Sequence, residues 1–295
     1  TPTAAVLLTI PPLLWAGNAV VGRVISPLIS PMTLNLLRWS LAFLLLLPLA
    51  GGVLKPASVL WPQWRRFAVL SLFSIGGYNA LLYLALNTTT PINVTLVGAS
   101  TPVWMLLFGQ FFFHQRISLR QTMGAALSIG GVLLVLCRGQ WELLQGLRLV
   151  AGDVYILLAS MGWAYYSWML AHPTEESASV RAHWASFLLA QVAFGLVWSA
   201  AFTAVEWTVT PAHIDWSWPF VGALVFIAVG PAVIAYRAWG AGVSRAGPTV
   251  AGFFINLTPL FTALLSAAFL GEAPQLFHAL SFVLIVSGIV MSSRR

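Results

Sequence analysis

One apolar stretch occurs twice in this chain, and each copy can lie within a membrane-spanning segment. The first copy covers residues 95–107, and the second covers residues 252–264, which lie 157 positions further along. Pro102 and Pro259 take the same place in the two copies. The same shift pairs Thr101 with Thr258 and Gly131 with Gly288, and a shift of 148 positions pairs Trp15 and Ala16 with Trp163 and Ala164. A duplicated membrane unit is typical of transporters built from two halves around a site near the middle of the bilayer.

The composition places most of the chain in a membrane. Charged residues make up 7% of it and apolar residues 59%, whereas soluble domains carry roughly 25% charged residues. This number of charged residues is too small to form the polar surface of a water-soluble protein. Most of the surface is therefore expected to face lipid. The net charge of +7 does not indicate a nucleic-acid surface, because the 14 Lys and Arg residues lie mostly between apolar runs. Cys137 is the only cysteine, which excludes an intramolecular disulfide, and we expect neither a metal site nor a cofactor.

Ten apolar runs of about 20 residues follow one another along the chain, and each is long enough to cross the hydrocarbon core. They lie near residues 4–25, 32–50, 65–87, 91–113, 119–137, 151–171, 181–203, 217–240, 248–270 and 275–292. The first run lacks a basic leading region and a small-residue cleavage site, so it is interpreted as a span rather than a signal peptide. The predicted fold class is therefore an all-α integral membrane protein with ten transmembrane helices.

The basic residues predict the orientation of these spans. An even number of spans places both termini on one side of the membrane. If that side is cytoplasmic, the inside segments carry ten basic residues and the outside segments carry three. The inside set is Lys55, Arg65, Arg66, Arg116, Arg120, Arg181, Arg237, Arg245, Arg294 and Arg295, and the outside set is Arg23, Arg138 and Arg148. The positive-inside rule therefore favours cytoplasmic termini.

The repeat divides the chain near residues 138–150, after five spans. We therefore predict two domains, residues 1–140 and residues 141–295, each a five-helix repeat. Because five is odd, the second repeat enters the membrane from the opposite side, and the two repeats are inverted. Inverted halves can exchange conformations, which is what alternating access requires.

Several short motifs occur in the same order as in a known transporter family. They are Trp15-Ala-Gly-Asn18, Arg38-Trp39, Gly152-Asp153, a Pro in the fourth span of each half, and Leu270-Gly271-Glu272. With the span count and the duplication, the whole chain resembles the EamA type of the drug/metabolite transporter superfamily. Its aromatic content is similar to that of the bacterial YddG-type aromatic amino acid exporters. The chain departs from the pattern at His114-Gln115, which stands where the second half has Gly271-Glu272.

The resemblance implies that a single copy of the chain is sufficient for transport. It implies export of neutral or aromatic amino acids, or similar small metabolites, across the bacterial inner membrane. The expected partners are a small-molecule substrate and the lipid bilayer, with no nucleic acid.

Ionisable residues within spans are the next candidates for function, because each is costly in lipid. The acidic residues all fall in loops or within a turn of a span end: Glu142, Asp153, Glu175, Glu176, Glu206, Asp215 and Glu272. Proton-driven exporters generally need an embedded acid, so facilitated transport is the favoured mechanism. His183 and His278 are expected inside spans, either as packing residues or as proton sites. Arg237 is expected to extend towards the cytoplasmic interface. Arg38 lies deeper and is expected to have a partner on a neighbouring helix or to line an aqueous vestibule.

Polar and aromatic residues at helical spacing predict a central cavity. Their spacing of i, i+3 and i+7 places side chains on one helix face, where they either line a cavity or allow close packing. The predicted substrate-binding residues are Tyr78, Trp163, Asn256, Tyr83, Trp239, Asn18, Ser74 and Ser160. The predicted gating residues are Pro102, Pro259, Gly76, Gly77, Gly230 and Pro231. Fixed kinks that fit the bundle are the alternative role for this second group.

Three other functions are alternatives to facilitated transport of amino acids, and each needs different features. A proton-coupled multidrug or metabolite exporter would use an embedded histidine. An integral-membrane enzyme needs a nucleophile and base or a metal cluster, and neither an HExxH, an Asp-rich nor a Ser/His/Asp grouping occurs in the sequence, so no catalytic residue is expected. A membrane receptor or scaffold would typically carry an extramembrane domain or a long tail.

Overall fold

The structure, a computed structural model, is helical throughout the part of the chain that it describes. It describes residues 2–86, 88, 94, 97–140, 142, 150–270 and 275–293. The long helices of the first half are α1 (Pro2–Ile25), α2 (Pro31–Ala50), α3 (Trp64–Ser71, Leu72–Gly76 and Gly77–Leu86), α4 (Thr101–Phe113) and α5 (Leu119–Leu136). Those of the second half are α6 (Ala151–Ala171), α7 (Trp184–Val209), α8 (Trp218–Ile227, Ala228–Ile234 and Ala235–Ala246), α9 (Pro248–Ile255 and Leu257–Leu270) and α10 (Leu276–Ser293). The strand-like pairing within these ranges is an isolated bridge between Ile29 and Ile214.

Eight of the helices in the described ranges are long and apolar enough to cross a membrane. They are α1, α2 and α5 to α10. Helix α4 is shorter, with 13 residues, and α3 is not among the eight, so the count of ten spans stays a prediction. Large apolar side chains such as Leu44, Phe111 and Val283 are exposed. An apolar outer surface of this kind fits contact with lipid.

Helices α5 and α10 pack closely against each other at glycines. A Cβ atom on Gly124 would lie 2.8 Å from the carbonyl oxygen of Gly288, and one on Gly131 would lie 2.9 Å from the carbonyl oxygen of Ser281. Residue numbers rise along α5 while those of their partners fall along α10, so the two helices are antiparallel. Only small residues permit an approach of this kind between membrane helices.

Helices α2 and α7 are joined by polar contacts. The Glu206 carboxylate accepts hydrogen bonds from the backbone N–H groups of Met32 at 2.9 Å and Thr33 at 3.1 Å, in the first turn of α2. An anion is favourable at this position, because the first N–H groups of a helix have no partner within it. Further along, Asn35 donates to the hydroxyl of Ser199 at 3.1 Å. These contacts fix α2 against α7.

Helices α3 and α8 each contain a widened π-helical segment, Leu72–Gly76 in α3 and Ala228–Ile234 in α8. The predicted gating residues within or next to these segments are Gly76, Gly77, Gly230 and Pro231. Such segments interrupt the regular hydrogen bonding of a helix and are frequent at functional sites. The irregular points predicted in the two halves therefore coincide with real irregularities of the backbone.

The prolines of the fourth and ninth predicted spans each follow a break in the helix, and Pro259 lies inside a single candidate span, Pro248–Phe269. Helix α4 begins after a turn at residues 99–100, and α9 is interrupted at Asn256. Pro102 and Pro259 therefore lie in the first turn of a helical piece. Proline has no backbone N–H, and in the first turn of a helical piece this costs no hydrogen bond. Each proline therefore fits directly after the break in its helix.

Of the two histidines expected inside spans, His183 lies outside its helix, which corrects that prediction, whereas His278 lies near the start of the candidate span Leu276–Ser293. His183 is exposed and immediately precedes α7, because the helix starts at Trp184 and not at residue 181. His278 is in the first turn of α10, where its Nδ1 accepts a hydrogen bond from the backbone N–H of Gln275 at 2.9 Å. An imidazole is accommodated there because it can pair with backbone groups that a helix leaves free at its ends.

Candidate functional site

Six aromatic side chains from four helices pack together inside the bundle. The centroids of five of these rings lie 5.1 to 5.6 Å from that of the sixth, Trp163 on α6. We call this group the aromatic cluster; its members are Trp15, Tyr78, Trp163, Tyr166, Tyr236 and Trp239. Most of the ring pairs meet edge to face or tilted, which are the arrangements that aromatic quadrupoles favour. Trp163 itself is 4% exposed.

The cluster contains a pair of tryptophans that the repeat makes equivalent. Trp15 on α1 and Trp163 on α6 meet with centroids 5.2 Å apart and planes at 85°. The cluster therefore lies where the two sequence repeats meet.

The local sequence of α6 explains how Trp163 is positioned. Ser160, Trp163 and Ser167 recur at i, i+3 and i+7, and all three are buried. The Ser167 hydroxyl donates to the backbone carbonyl of Trp163 at 2.8 Å and accepts from the indole N–H of Trp239 at 3.2 Å. The serine thus connects the two tryptophans, and the predicted polar stripe lies on the side of α6 that faces the cluster.

Two side chains of the cluster donate hydrogen bonds to backbone carbonyl groups of the π-helical segments. The Trp15 indole N–H donates to the carbonyl oxygen of Pro231 at 3.3 Å, and the Tyr236 hydroxyl donates to that of Ser74 at 3.0 Å. Ser74 lies in the segment of α3 and Pro231 in that of α8. The aromatic cluster is therefore tied directly to the irregular backbone of both halves.

Within the aromatic cluster, the indole N–H of Trp163 differs from those of Trp15 and Trp239: like that of the nearby Trp39, it is buried and has no hydrogen-bond partner among the described residues. Leaving a buried donor unpaired costs about 1–3 kcal/mol. An acceptor atom supplied by a bound molecule would remove that cost. The centre of the cluster therefore offers one free donor surrounded by ring surface.

The structure brings together some of the predicted site residues and places others elsewhere. Tyr78, Trp163 and Trp239 belong to the aromatic cluster, Ser74 and Ser160 adjoin it, and Asn18 is half-buried one turn beyond Trp15. Asn256 is 1% exposed and donates to the Ser128 hydroxyl of α5 at 2.9 Å. The side chain of Tyr83 lies outside the described residues. A role in substrate binding stays a prediction for all of them.

Two residues that the sequence did not single out are prominent. Tyr236 contacts Trp15, Trp163 and Tyr166 within the cluster, and Trp39 of α2 lies 5.0 Å from it outside the cluster. Tyr236 lies three residues before Trp239, so helical spacing from that predicted residue would have located it.

The second missed residue is Asn79, the partner of Arg38. The Nη2 of Arg38 donates to Asn79 Oδ1 on α3 at 3.1 Å, which confirms that Arg38 has a partner on a neighbouring helix. The guanidinium carbon also lies 5.2 Å from the Trp39 ring centroid. Arg237 is exposed, and its guanidinium carbon lies 4.2 Å from the Trp184 ring centroid. The two cations within predicted spans therefore have different surroundings, one buried and one at the surface.

The described residues contain no grouping of three or more His, Cys, Asp or Glu that could hold a metal ion. The candidate site is aromatic.

Comparison with protein families identifies the family of the chain. The model of the EamA-like transporter family matches residues 2–137 and 150–294. The chain belongs to the EamA-like transporter family. It is a multi-pass membrane protein, and its family and relatives are transporters rather than enzymes.

Individual relatives of this EamA-like protein are distant. It is 26% identical over 267 residues to an uncharacterized transporter, YyaM, of Bacillus subtilis, covering 90% of this chain and 85% of the relative. It is 24% identical over 237 residues to the aromatic amino acid exporter YddG of Ancylobacter novellus, covering 79% and 76%. One solved crystal structure has a TM-score of 0.76 at 22% identity, over 99% of this chain and 97% of the other. At that identity, the likeness shows the fold alone.

Proposed function

We propose that this transporter exports neutral or aromatic amino acids, or similar small metabolites, and binds them at the aromatic cluster. The observation that carries the proposal is Trp163, the centre of rings from four helices, whose buried indole N–H has no acceptor within the described part of the chain. Indole and phenol rings can stack on an aromatic solute, and their faces attract an ammonium group. The name of the Ancylobacter novellus relative, an aromatic amino acid exporter, supports this substrate class.

We propose further that residues 1–140 and 141–295 are two inverted five-helix repeats with ten spans in all. Gly131 and Gly288 are separated by 157 positions, and so are Gly124 and Ser281. The contact of Gly124 with Gly288 and that of Gly131 with Ser281 are therefore the same contact with the halves exchanged. Reciprocal contacts of this kind are what a two-fold axis produces, and the antiparallel helices suit an axis in the membrane plane. The family model also matches one segment in each half.

Alternating access would follow from the connection between the cluster and the π-helical segments. A solute that enters among the rings displaces Trp15 or Tyr236, and these side chains are bonded to the carbonyl groups of Pro231 and Ser74. Substrate binding would thereby change the backbone in both halves at once. Rocking of helix pairs about these matched points would expose the site to one side of the membrane at a time.

We propose that transport is facilitated, which means that the concentration gradient of the substrate itself drives it. The carboxylates with well-defined contacts stabilise helix ends: Asp153 accepts from the N–H of Val150 at 2.8 Å, and Glu206 binds the start of α2. His183 and His278 also lie at helix ends. These groups have local structural partners, which leaves them poorly placed to exchange a proton with a solute at the cluster.

The proposed location is the bacterial inner membrane, with both termini in the cytoplasm. The excess of basic residues in the segments on the side of the termini supports this orientation. The relatives reported from Bacillus subtilis and Ancylobacter novellus support a bacterial setting. One copy of the chain contains the whole cluster, so a monomer is sufficient for the proposed transport.

The test is uptake into liposomes that contain the purified protein. Labelled tryptophan, phenylalanine and threonine are supplied with and without a pH gradient. We expect saturable uptake without the gradient and at least about tenfold slower uptake in the Trp163→Ala and Tyr78→Ala variants, because truncation of a buried anchor commonly costs more than 1.4 kcal/mol. Trp218→Ala is the control, since Trp218 is 87% exposed.

Each other outcome contradicts one part of the proposal. Uptake that requires the pH gradient would favour the proton-coupled exporter. Absence of uptake of all three amino acids by correctly folded protein would overturn the proposed substrate class.

A further inference from the structure

Arg38 is a cation buried inside the helix bundle. Its side chain is 6% exposed, one N–H group binds Asn79, and its Nε is buried with no hydrogen-bond partner in the ranges that the structure describes. A guanidinium carries five N–H donors, and a charge within a membrane is costly unless it is compensated. One neutral amide oxygen satisfies only part of that requirement.

Among the residues that the structure describes, the partners of this charge are Asn79 and the Trp39 ring, and neither is an anion. Helices α2 and α3, which carry Arg38 and its partner Asn79, contain neither Asp nor Glu. Glu206 on the adjacent helix α7 is engaged with the backbone at Met32 and Thr33, in the first turn of α2. An anionic group from outside the protein would provide the missing compensation.

The charge lies close to the aromatic cluster. The Trp39 ring centroid is 5.0 Å from that of Tyr236 and 5.2 Å from the Arg38 guanidinium carbon, so Arg38 lies within about 10 Å of the Tyr236 ring. Asn79 also directly follows Tyr78, another ring of the cluster, on α3. A solute with a ring and an acid group can therefore reach both features.

We propose that Arg38 binds the carboxylate of the transported amino acid while the aromatic cluster holds its side chain. This inference rests on the proposed function. A guanidinium matches a carboxylate with two parallel hydrogen bonds, which gives both energy and orientation. Asn79 positions the arginine: its Nδ2 donates to the carbonyl oxygen of Ile75 at 2.9 Å, which directs Oδ1 towards Arg38. Ile75 lies in the π-helical segment of α3, so the charge site is connected to the proposed gate.

The first experiment compares tryptophan with tryptophanamide, which keeps the ring and the amino group but has no carboxylate. Transport in liposomes gives KM for each, and quenching of intrinsic fluorescence gives Kd for each. We expect the unaltered protein to favour tryptophan about 10- to 100-fold, the range for hydrogen bonds to charged groups. Arg38→Met should abolish this preference, whereas Arg237→Met, which removes an exposed cation, should retain it. A preference that survives in Arg38→Met would overturn the proposal.

A second variant, Asn79→Asp, keeps the shape of the side chain and places a fixed carboxylate beside Arg38. If Arg38 binds the substrate carboxylate, this built-in anion competes with it, and the affinity for tryptophan should fall at least about tenfold while that for tryptophanamide is unchanged. If Arg38 only supports the fold, the new ion pair should leave both affinities unaltered. That result would contradict the proposal.

The two readouts separate failure of this site from failure of the proposed function. Equal transport of tryptophan and its amide by the unaltered protein would leave amino acid transport standing and overturn the carboxylate site. Arg38-dependent binding of tryptophan without transport would support the carboxylate site and contradict the exporter. If the unaltered protein neither binds nor transports either compound, both proposals are wrong.

Discussion

At the scale of single residues, the hydrogen-bonding state of each indole separates a packing role from a binding role. The N–H groups of Trp15 and Trp239 are bonded within the protein, to Pro231 and Ser167. That of Trp163 is buried and has no partner among the residues described by the structure. All three rings contribute apolar contact, but only Trp163 combines a central position in the cluster with a donor available to a solute.

Replacing Trp163 by Phe tests this donor while keeping most of the ring. We expect the variant to fold and its KM for tryptophan to rise by about tenfold, the loss of one hydrogen bond of about 1–1.5 kcal/mol. Trp239→Phe is the matched control, because its N–H is already bonded to Ser167 and is not available to a solute. Equal effects of the two substitutions on KM, measured by uptake into liposomes, would contradict a binding role for the Trp163 N–H.

At the scale of helices, hydropathy located the spans better than it located the helix ends. The eighth predicted span stops at residue 240, whereas α8 continues to Ala246, past Arg237. Hydropathy indicates where a chain leaves the lipid, but a helix continues until residues that terminate its backbone conformation are reached. Here Gly247 adopts a φ of 84°, a left-handed conformation that suits glycine, and Pro248 follows. The opposite error at α7, predicted from residue 181, arose because a separate short helix, Ala178–Ala182, and the extended His183 precede the true start at Trp184.

The π-helical segment of α3 depends on a glycine that lets α7 approach. A Cβ atom on Gly76 would lie 2.5 Å from the Cβ of Trp198, which is closer than two side chains can pack. We therefore expect Gly76→Ala to separate α3 from α7, to lower the melting temperature by several degrees and to reduce kcat for transport, since overpacking costs about 1–3 kcal/mol. Gly222→Ala on α8 has nothing within 4 Å of the new methyl group and should be neutral or slightly stabilising. Thermal unfolding and uptake assays on both variants decide, and unchanged behaviour of Gly76→Ala would show that this approach is not required.

At the scale of the whole molecule, the duplication was visible in the sequence, but its local register was not. Trp15 and Trp163 were matched from the sequence, and the structure places them in contact. Tyr236 was missed although it lies three residues before the predicted Trp239, because its contacts with Trp15 and Trp163 join helices that are remote in sequence. The π-helical segments also differ in length, with five residues in α3 and seven in α8. A sequence shows that two copies exist, whereas three-dimensional packing determines which side chains meet.

The contact between α5 and α10 allows a test of how the proposed halves are held together. Gly130 and Gly131 are neighbours on α5, but only Gly131 faces α10, where a Cβ atom would lie 2.7 Å from Ile285 Cγ1 and 2.9 Å from the Ser281 carbonyl oxygen. A Cβ atom on Gly130 would have nothing within 4 Å. We expect Gly131→Ala to destabilise the protein by about 1–3 kcal/mol and Gly130→Ala to leave it unchanged or slightly more stable.

Melting temperatures of the two variants in the same detergent, followed by loss of the folded peak in size-exclusion chromatography, measure the difference. Gly288→Ala, which removes the reciprocal glycine, should resemble Gly131→Ala, because its Cβ would lie 2.6 Å from the Gly124 carbonyl oxygen. Since Gly130 and Gly131 are not part of the aromatic cluster, the ratio of KM for tryptophan to that for tryptophanamide should be the same in Gly130→Ala and Gly131→Ala. Equal melting temperatures for Gly130→Ala and Gly131→Ala would mean that α5 and α10 do not need this close approach. The reciprocal contacts would then not be what holds the two halves together.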